Sequence, residues 1–243
     1  MKKSFFQNDK KLLISYLTSL IVTCGTIIYL ATPSKPPPKI GDPVFKVETE
    51  FGYGSGVIIG KEPQREEFLY YVLTAFHLIG SHIPEGGTIS PLGYSFILTS
   101  YDDKGKVIEI NDGTLFASNE KLDLMVLIFL SPKNLNVSTI SINYELMDEV
   151  YSCTYQLSEQ LAITKGIISK FKEEFIVSDA QISPGSSGGG LFIKCKDKFY
   201  LIGIADRCPM RFGVPVFHCS HYVSSKSFIR FLKDNEIPCI IQQ

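Results

Sequence analysis

The 243-residue sequence has almost no net charge, because 24 Lys and Arg residues are balanced by 25 Asp and Glu residues. It also has no basic run in the body of the chain. Nucleic acids are held mainly by clusters of positive charge, so we expect no nucleic-acid partner. Internal repeats and sustained helical periodicity are lacking as well. What is present is a 44% hydrophobic composition, which is enough to build a packed core.

One long apolar run occurs near the amino terminus. Residues 12–31 contain twenty consecutive residues without a charge, and four lysines precede them. The length predicts a transmembrane helix, and the charge bias places residues 1–11 in the cytoplasm and the rest outside it. A cleaved signal peptide, including a lipoprotein-type cut before Cys24, is the alternative. Residues 32–40 are Pro-rich and predict an extended linker, so residues 41–243 form the globular domain.

Short segments rich in Val, Ile, Phe and Tyr follow one another through the domain, broken by Gly, Pro, Asp or Asn. About a dozen such segments at this spacing are typical of a β-sandwich or barrel. Only residues 224–237 have helical spacing. Ser224 can cap this helix, and Phe228, Phe231 and Leu232 share one of its faces. We therefore predict a mostly antiparallel β domain with a C-terminal helix.

The segment SPGSSGGGLF, residues 183–192, is rich in Gly and Ser and runs into an apolar strand. A Walker-type phosphate loop requires a Lys after the glycines, which is missing. A lipase-type nucleophile elbow requires a helix after the serine, whereas three glycines follow, each costing a helix about 1 kcal/mol. An esterase of unrelated fold is therefore the weakest alternative. The remaining hypothesis is a nucleophilic serine on a tight turn, with backbone N–H groups that stabilise an oxyanion.

Three blocks occur in one order along the chain: LTAFH at 73–77, LDLMVL at 122–127 and PGSSGG at 184–189. Together they resemble the signature segments of trypsin-like serine proteases, and are most similar to the HtrA/DegP-like branch. GSGVIIG at 54–60 and LIGIAD at 201–206 resemble two further strands of that family. A single GxSxG motif would be weak evidence for this family, but three blocks in the family's order are specific to it.

The resemblance implies that His77 is the general base, Asp123 the carboxylate that orients it and Ser187 the nucleophile. It also implies that the N–H groups of Gly185 and Ser187 form the oxyanion hole. Ser186 stands where digestive relatives carry an Asp that pairs with a newly cleaved amino terminus. We therefore expect an enzyme that folds into its active form without such a cut.

The fold implied by the resemblance is two six-stranded antiparallel barrels of the chymotrypsin type, preceded by the transmembrane helix. Barrel 1 is expected at about residues 41–140 and barrel 2 at about 141–223, with the helix at 224–237. The active site then lies between the barrels. No PDZ-type peptide-binding module is expected. The implied function is a membrane-anchored serine endopeptidase that hydrolyses polypeptides through an acyl-enzyme.

The strand that lines the substrate cleft contains Ala205, Asp206 and Arg207, which we predict to be substrate-binding residues. Family members often carry small residues here, whereas Asp206 and Arg207 are charged and bulky. Asp206 could hydrogen-bond near the triad or face a basic substrate residue, and Arg207 could block the pocket. A blocked pocket gives the main alternative function, a catalytically silent binding module with a protease fold.

The chemistry of a serine triad requires neither a metal nor an organic cofactor, and we predict none. A small zinc site formed by HCSH, residues 218–221, with Cys195 and Cys208 is an alternative, but its spacing fits no standard pattern. His82, His218 and His221 are otherwise interpreted as surface or loop histidines. A hairpin could bring Cys208 and Cys219 together, which makes them the candidate disulfide pair.

Overall fold

The computed structural model describes residues 39–80, 94–102, 105–158, 160–216 and 218–242. Among these residues, no helix is both long enough and apolar enough to cross a membrane. The predicted transmembrane segment and linker up to residue 38, together with Cys24 and His82, lie outside the described residues.

The first half of the domain is a closed six-stranded barrel, hereafter barrel 1. Its strands are consecutive in the chain, and their order around the barrel is β1-β2-β3-β6-β5-β4, with β4 closing on β1. All of its pairings are antiparallel. The strands are β1 (Val44–Thr49), β2 (Gly52–Gln64), β3 (Glu67–Ala75), β4 (Phe96–Tyr101), β5 (Val107–Asn119) and β6 (Leu124–Ser131).

The second half forms barrel 2, in the order β11-β8-β9-β10-β15-β12, and a pairing between β11 and β12 closes the ring. These six strands are also antiparallel throughout. They are β8 (Glu149–Tyr155), β9 (Leu161–Lys172), β10 (Phe175–Ser178), β11 (Gly190–Cys195), β12 (Lys198–Arg207) and β15 (Ser220–Ser224). The prediction of two six-stranded antiparallel barrels is therefore confirmed.

Two short parallel pairings were not anticipated from the sequence. β7 (Thr139–Ser141) lies parallel to β12, and β16 (Ile240–Gln242) lies parallel to β7, which extends the second sheet beyond its barrel. β13 (Met210–Arg211) and β14 (Val214–Pro215) form a small separate hairpin, in the segment between Cys208 and Cys219 where the sequence suggested one. Strands of two or three residues carry too little periodicity to be predicted.

The predicted C-terminal helix is present as α2, Ser225–Asp234, and the Ser224 hydroxyl caps it by accepting from the N–H of Lys226. It ends at Asp234, three residues before the predicted end, because Glu236 adopts a positive φ of 54°. Its buried face carries Phe228, Phe231 and Leu232 as expected. A four-residue helical turn, α1 (His77–Gly80), follows β3.

Each barrel has its own apolar core, and a larger cluster joins the two barrels and α2. The barrel 1 core is rich in aromatic side chains, including Phe45, Tyr70 and Phe129, whose rings pack on one another. Phe228 of α2 is fully buried in the joining cluster. Burial of such side chains contributes about 1.5–3 kcal/mol each, so the joining cluster holds the two barrels, and the cleft between them, in place.

Candidate active site

The pairing register of barrel 1 brings His77 and Asp123 together. β3 and β6 are antiparallel, and Ala75 at the end of β3 lies opposite Leu124 at the start of β6. The residues just beyond these ends are therefore neighbours, and the N–H of Phe76 donates to the carbonyl of Asp123 at 3.0 Å. Because both flanking residues are buried, a slip of the register would be costly.

Asp123 holds His77 at two points. One carboxylate oxygen accepts from the backbone N–H of His77 at 2.8 Å, and the other lies 2.5 Å from its Nδ1. Asp123 itself has the left-handed conformation, with φ 55° and ψ 44°, where it ends the 3₁₀ turn Glu120–Leu122. Asp is one of the few residues that tolerate this conformation, and the turn aims its carboxylate at the imidazole.

Ser187 comes from the loop between β10 and β11. Its Oγ lies 2.8 Å from His77 Nε2. The loop is shaped by Gly185 and Gly188, whose φ values of +92° and +85° lie in the region that favours glycine. The structure thus brings together the three residues that the sequence blocks marked, in the order Ser187, His77, Asp123.

The same loop presents the two backbone N–H groups that the sequence predicted as an oxyanion hole. Within the described residues, neither the N–H of Gly185 nor that of Ser187 has a hydrogen-bond acceptor. Ser186 between them is turned inward, where its hydroxyl accepts from the N–H of Ser183 at 3.1 Å and contacts the Thr154 hydroxyl. Free donors of this kind are what a developing oxyanion requires.

Ser55 was not singled out in the sequence, although it lies in the GSG of β2. Its hydroxyl donates to the carbonyl of Gly185 at 2.8 Å and accepts from the N–H of Tyr155 at 2.8 Å, and its N–H donates to the carbonyl of Ser187 at 2.7 Å. Thr74, of the LTA segment, donates to the carbonyl of Ser55 at 2.6 Å. Barrel 1 therefore fixes the serine loop of barrel 2. The recognisable signal was a small polar residue in a segment, residues 54–60, that otherwise contains only Gly and apolar residues.

The electrostatics of the site keep the Asp123 carboxylate ionised and make the His77 imidazole more basic. The hydrogen bond with Asp123 raises the pKa of His77, against the opposing effect of burial, and the charges of Asp123 and Asp206 add to the increase. Burial acts to raise the pKa of Asp123, but the hydrogen bond and charge of His77 outweigh it and bring the pKa below its usual value. Asp123 therefore stays ionised and His77 is a stronger base than usual.

A cleft of about 750 Å³ opens beside Ser187 and His77. Asp206 and Arg207 lie in its wall, whereas Ala205 is buried and does not line it. The Asp206 side chain is only 2% exposed and accepts from Arg207 Nε at 2.6 Å. Substrate contact by these residues stays a prediction. The cleft is lined by Phe76, His77, Glu120, Asp123, Ile182, Ser183, Pro184, Ser186, Ser187, Asp206, Arg207, Cys208 and Met210.

In the described part of the chain, only His77, Asp123 and Asp206 form a close group of three potential metal-ligating side chains, and hydrogen bonds already engage them. Among the residues with a described position, the alternative zinc site is not assembled: Cys219 Sγ lies 3.8 Å from His221 Nε2, but no third potential ligand from these residues joins them. The suggested disulfide is wrong for this structure, because Cys208 and Cys219 are both free thiols.

Comparison with known proteins agrees with this geometry. The trypsin-like peptidase domain family matches residues 54–204, well over half of the chain. The chain belongs to this family. Membership in a family of trypsin-like peptidase domains supports the predicted enzyme class, a serine endopeptidase. No curated protein sequence matches it.

Several solved structures share the trypsin-like fold. The serine endoprotease from Yersinia pestis aligns with a TM-score of 0.58 and 23% identity over 80% of this chain and 63% of its own. The HtrA-type protease AlgW, solved with a tripeptide, aligns with a TM-score of 0.62 and 23% identity, over 81% of this chain and 60% of its own. Deg5 aligns with a TM-score of 0.58 and 19% identity, over 79% of this chain and 88% of its own. The chain thus spans less than two thirds of the length of the first two, and at these identities the likeness is one of fold.

Proposed function

We propose that this trypsin-like chain hydrolyses polypeptides with Ser187 as nucleophile, His77 as general base and Asp123 as the group that orients the imidazole. The observation that carries the proposal is the position of His77, with Nε2 2.8 Å from Ser187 Oγ and Nδ1 2.5 Å from the Asp123 carboxylate. A base within hydrogen-bond reach of a serine, itself held by a carboxylate, is the arrangement needed to activate a weak nucleophile.

In the proposed reaction, His77 Nε2 takes the proton from Ser187 as Oγ attacks the scissile carbonyl carbon. The N–H groups of Gly185 and Ser187 receive the oxyanion of the tetrahedral intermediate. The imidazolium then gives its proton to the leaving amine, and the C–N bond breaks to leave an acyl-enzyme. Water, deprotonated by His77, attacks the ester and restores Ser187.

The test is incubation of the full chain with an unstructured polypeptide, followed by mass spectrometry of the products. We expect new peptides from internal cleavage, and none from the Ser187→Ala variant, which loses only the nucleophilic oxygen. Intact substrate with the folded wild-type protein would contradict the proposal.

A catalytically silent binding module is the second candidate, and it is favoured by one observation. Arg207, whose side chain is 61% exposed, stands in the wall of the cleft where the family often has small residues. A module of this kind would bind polypeptides without cutting them. Binding of the same substrate with equal affinity by wild type and Ser187→Ala, with no products from either, would support this candidate.

We also propose that residues 12–31 anchor the chain as a single-pass membrane protein with its peptidase domain outside the cytoplasm. The support is the uncharged twenty-residue run and the lysines that precede it. The full chain should remain with membranes after alkaline extraction, and a variant that lacks residues 1–31 should not. Added protease should digest the domain in intact cells, and protection of the domain would contradict this orientation.

A further inference from the structure

Arg207 lies in the wall of the cleft that holds Ser187, and its side chain is 61% exposed. The carbonyl of the preceding residue, Asp206, lies 3.5 Å from Ser187 Oγ. An extended polypeptide spans about 3.3 Å per residue, so the guanidinium is within reach of substrate side chains about one to three residues from the scissile bond. Arg207 is therefore positioned to contact the substrate.

A break in the register of β12 turns Arg207 out of barrel 2. Ala205 lies opposite Tyr222 on β15, and both side chains are buried in the core of the barrel. Side chains alternate between the two faces of a strand, so regular pairing would point Arg207 into the same core. The register shifts between Ala205 and Arg207, and Arg207 lies instead opposite His221, on the outer face. Bulges next to active sites re-aim side chains in this way.

The Arg207 side chain is held in place but keeps donors for a further partner. Its Nε donates to the Asp206 carboxylate at 2.6 Å, and its guanidinium lies 5.7 Å from the centroid of the Phe175 ring on β10. A guanidinium has five N–H donors in a planar fork. Among the described residues only Asp206 accepts from it, so its terminal amino groups remain available. A fork of this kind matches the two oxygens of a carboxylate.

Further basic side chains continue from Arg207 across the outer face of barrel 2. The pairing registers place Lys170 of β9, Val177 of β10, His221 of β15 and Arg207 side by side on four adjacent strands. Lys172 follows two residues after Lys170, and both lysines are exposed. Burial lowers the pKa of His221, and the positive charges of all three cations lower it further. Arg207, Lys170 and Lys172 are therefore close together in space, and we call them the basic row.

The cleft carries opposite charges on its two sides. Glu120 is exposed on the barrel 1 side, whereas Arg207 lies on the barrel 2 side. The Asp206 carboxylate that pairs with Arg207 is only 2% exposed, so it does not present its charge to the solvent. A substrate carboxylate is thus repelled by Glu120 and attracted to the barrel 2 side, and the two lysines add to this attraction.

We propose that Arg207 is a specificity-determining residue, which binds a Glu or Asp side chain of the polypeptide substrate close to the scissile bond. The two lysines of the basic row attract further acidic residues of the same polypeptide. This proposal rests on the proposed function and names its substrate class, polypeptides with acidic segments. It also gives Arg207 a role other than blocking the cleft.

The first test measures binding without hydrolysis. The full chain with Ser187→Ala is titrated into a fluorescent unstructured peptide that contains consecutive glutamates, and into the same peptide with glutamines in their place. Glutamine keeps the size of the side chain and removes its charge. We expect the glutamate peptide to bind at least about tenfold more tightly, because a bidentate ion pair is a strong form of hydrogen bonding. Added salt should weaken this preference.

Substitutions in the Ser187→Ala background locate the preference. Arg207→Gln should reduce it to about threefold or less, and Arg207→Lys should restore it only in part, because an ammonium group lacks the planar fork. Lys170→Gln combined with Lys172→Gln should lower it by about threefold. Arg230→Gln is the matched control, because Arg230 is exposed on α2 and does not line the cleft, and it should keep the full preference.

Digestion by the chain with Ser187 intact gives a second readout. An unstructured polypeptide of known sequence is incubated with the full chain, and mass spectrometry locates the cleaved bonds. Asp and Glu should be enriched within about three residues of these bonds. Arg207→Gln should remove the enrichment, and Arg230→Gln should not.

The proposal is overturned if the glutamate and glutamine peptides bind equally or not at all, or if folded Arg207→Gln keeps the full preference. It is also overturned if single-stranded DNA of the same charge binds more tightly than the glutamate peptide, because the basic row is then a nucleic-acid surface. If Arg207→Gln does not fold, because the buried Asp206 loses its partner, the variant lacking both lysines decides. A preference that this variant leaves unchanged overturns the proposal.

Failure of the proposed function gives a different result. Binding by Ser187→Ala does not require hydrolysis, so a glutamate preference can be measured whether or not the wild type cuts polypeptides. A glutamate preference with no cleavage products from the wild type would retain acid recognition and assign it to a catalytically silent binding module. Cleavage products without enrichment of Asp or Glu would retain the proposed function and overturn the role of Arg207.

Discussion

Barrel 1 and barrel 2 place their active-site residues by different means. In barrel 1, His77 and Asp123 follow directly from the ends of two paired strands, and the register of Ala75 against Leu124 fixes them. In barrel 2, Ser187 lies on a loop whose shape depends on two glycines with positive φ. That loop is held by hydrogen bonds from Ser55 of barrel 1. Strand pairing thus positions the base and the acid, whereas the nucleophile lies on a loop that hydrogen bonds from the other barrel hold in place.

This difference between the barrels predicts how substitutions in each of them should affect the site. Substitutions at the strand ends of barrel 1 should alter chemistry without moving the backbone, because the sheet holds its position. Substitutions in the serine loop should alter stability and chemistry together, because hydrogen bonds to both barrels hold the loop in its shape. The predictions below follow this division, from the largest expected effect to the smallest.

Asp123→Asn should lower the peptide hydrolysis rate by about 10⁴-fold, because an amide favours the wrong imidazole tautomer and no longer stabilises the imidazolium. The strand register should hold, so the melting temperature should change little. Steady-state kinetics and thermal unfolding of the same preparation check both statements. A loss of less than tenfold would mean that Asp123 does not orient His77.

Gly188→Ala should destabilise the chain by about 3 kcal/mol and reduce labelling of Ser187. The residue has a φ of +85°, and an added methyl group would overlap with the carbonyl of Ser55 and the hydroxyl of Thr74. Gly213→Ala is the matched control, because its φ is +78° but nothing lies within 4 Å of an added methyl group. The control should cost only about 1 kcal/mol. If denaturant unfolding gives the same loss of free energy for Gly188→Ala and Gly213→Ala, the loop is not held tightly by barrel 1.

Ser55→Ala should cost about 2 kcal/mol of unfolding free energy, because the N–H of Tyr155 and the carbonyl of Gly185 lose their buried partner. Activity should also fall as the serine loop loosens. Ser138→Ala provides a comparison, since that buried hydroxyl has no partner among the described residues. Its removal should change stability by less than about 0.5 kcal/mol. If both variants lose the same stability, Ser55 is not the contact that joins the barrels.

The smallest effect is on pH dependence. His77 must be neutral to accept the serine proton, and the hydrogen bond with Asp123 raises the pKa of His77 above its ordinary 6.5. Labelling by a fluorophosphonate should therefore rise with pH through a midpoint above 6.5. A midpoint below that value would mean that burial of the imidazole, which lowers its pKa, outweighs the hydrogen bond.

Strand periodicity is local and predicted only a β-sandwich or barrel. The two barrels and the residues that meet at the cleft were implied by the resemblance to trypsin-like proteases, which rests on the contiguous blocks around His77, Asp123 and Ser187. The role of Ser55 was not predictable, because it depends on contact between strands about a hundred residues apart. The position of the Asp206 carboxyl within 4.8 Å of the Asp123 carboxyl was left open for the same reason. β7 and β16 were missed because three-residue strands carry no usable pattern.

The central claim is that a base and an acid from barrel 1 activate a serine from barrel 2. Its most direct test is the intact mass of the full chain after treatment with a fluorophosphonate, which reacts only with an activated serine. We predict a single adduct on wild type, none on Ser187→Ala, and none within the same time on His77→Ala. An unmodified wild-type protein that is folded and rich in β-structure, or an equal adduct on Ser187→Ala, would contradict the claim.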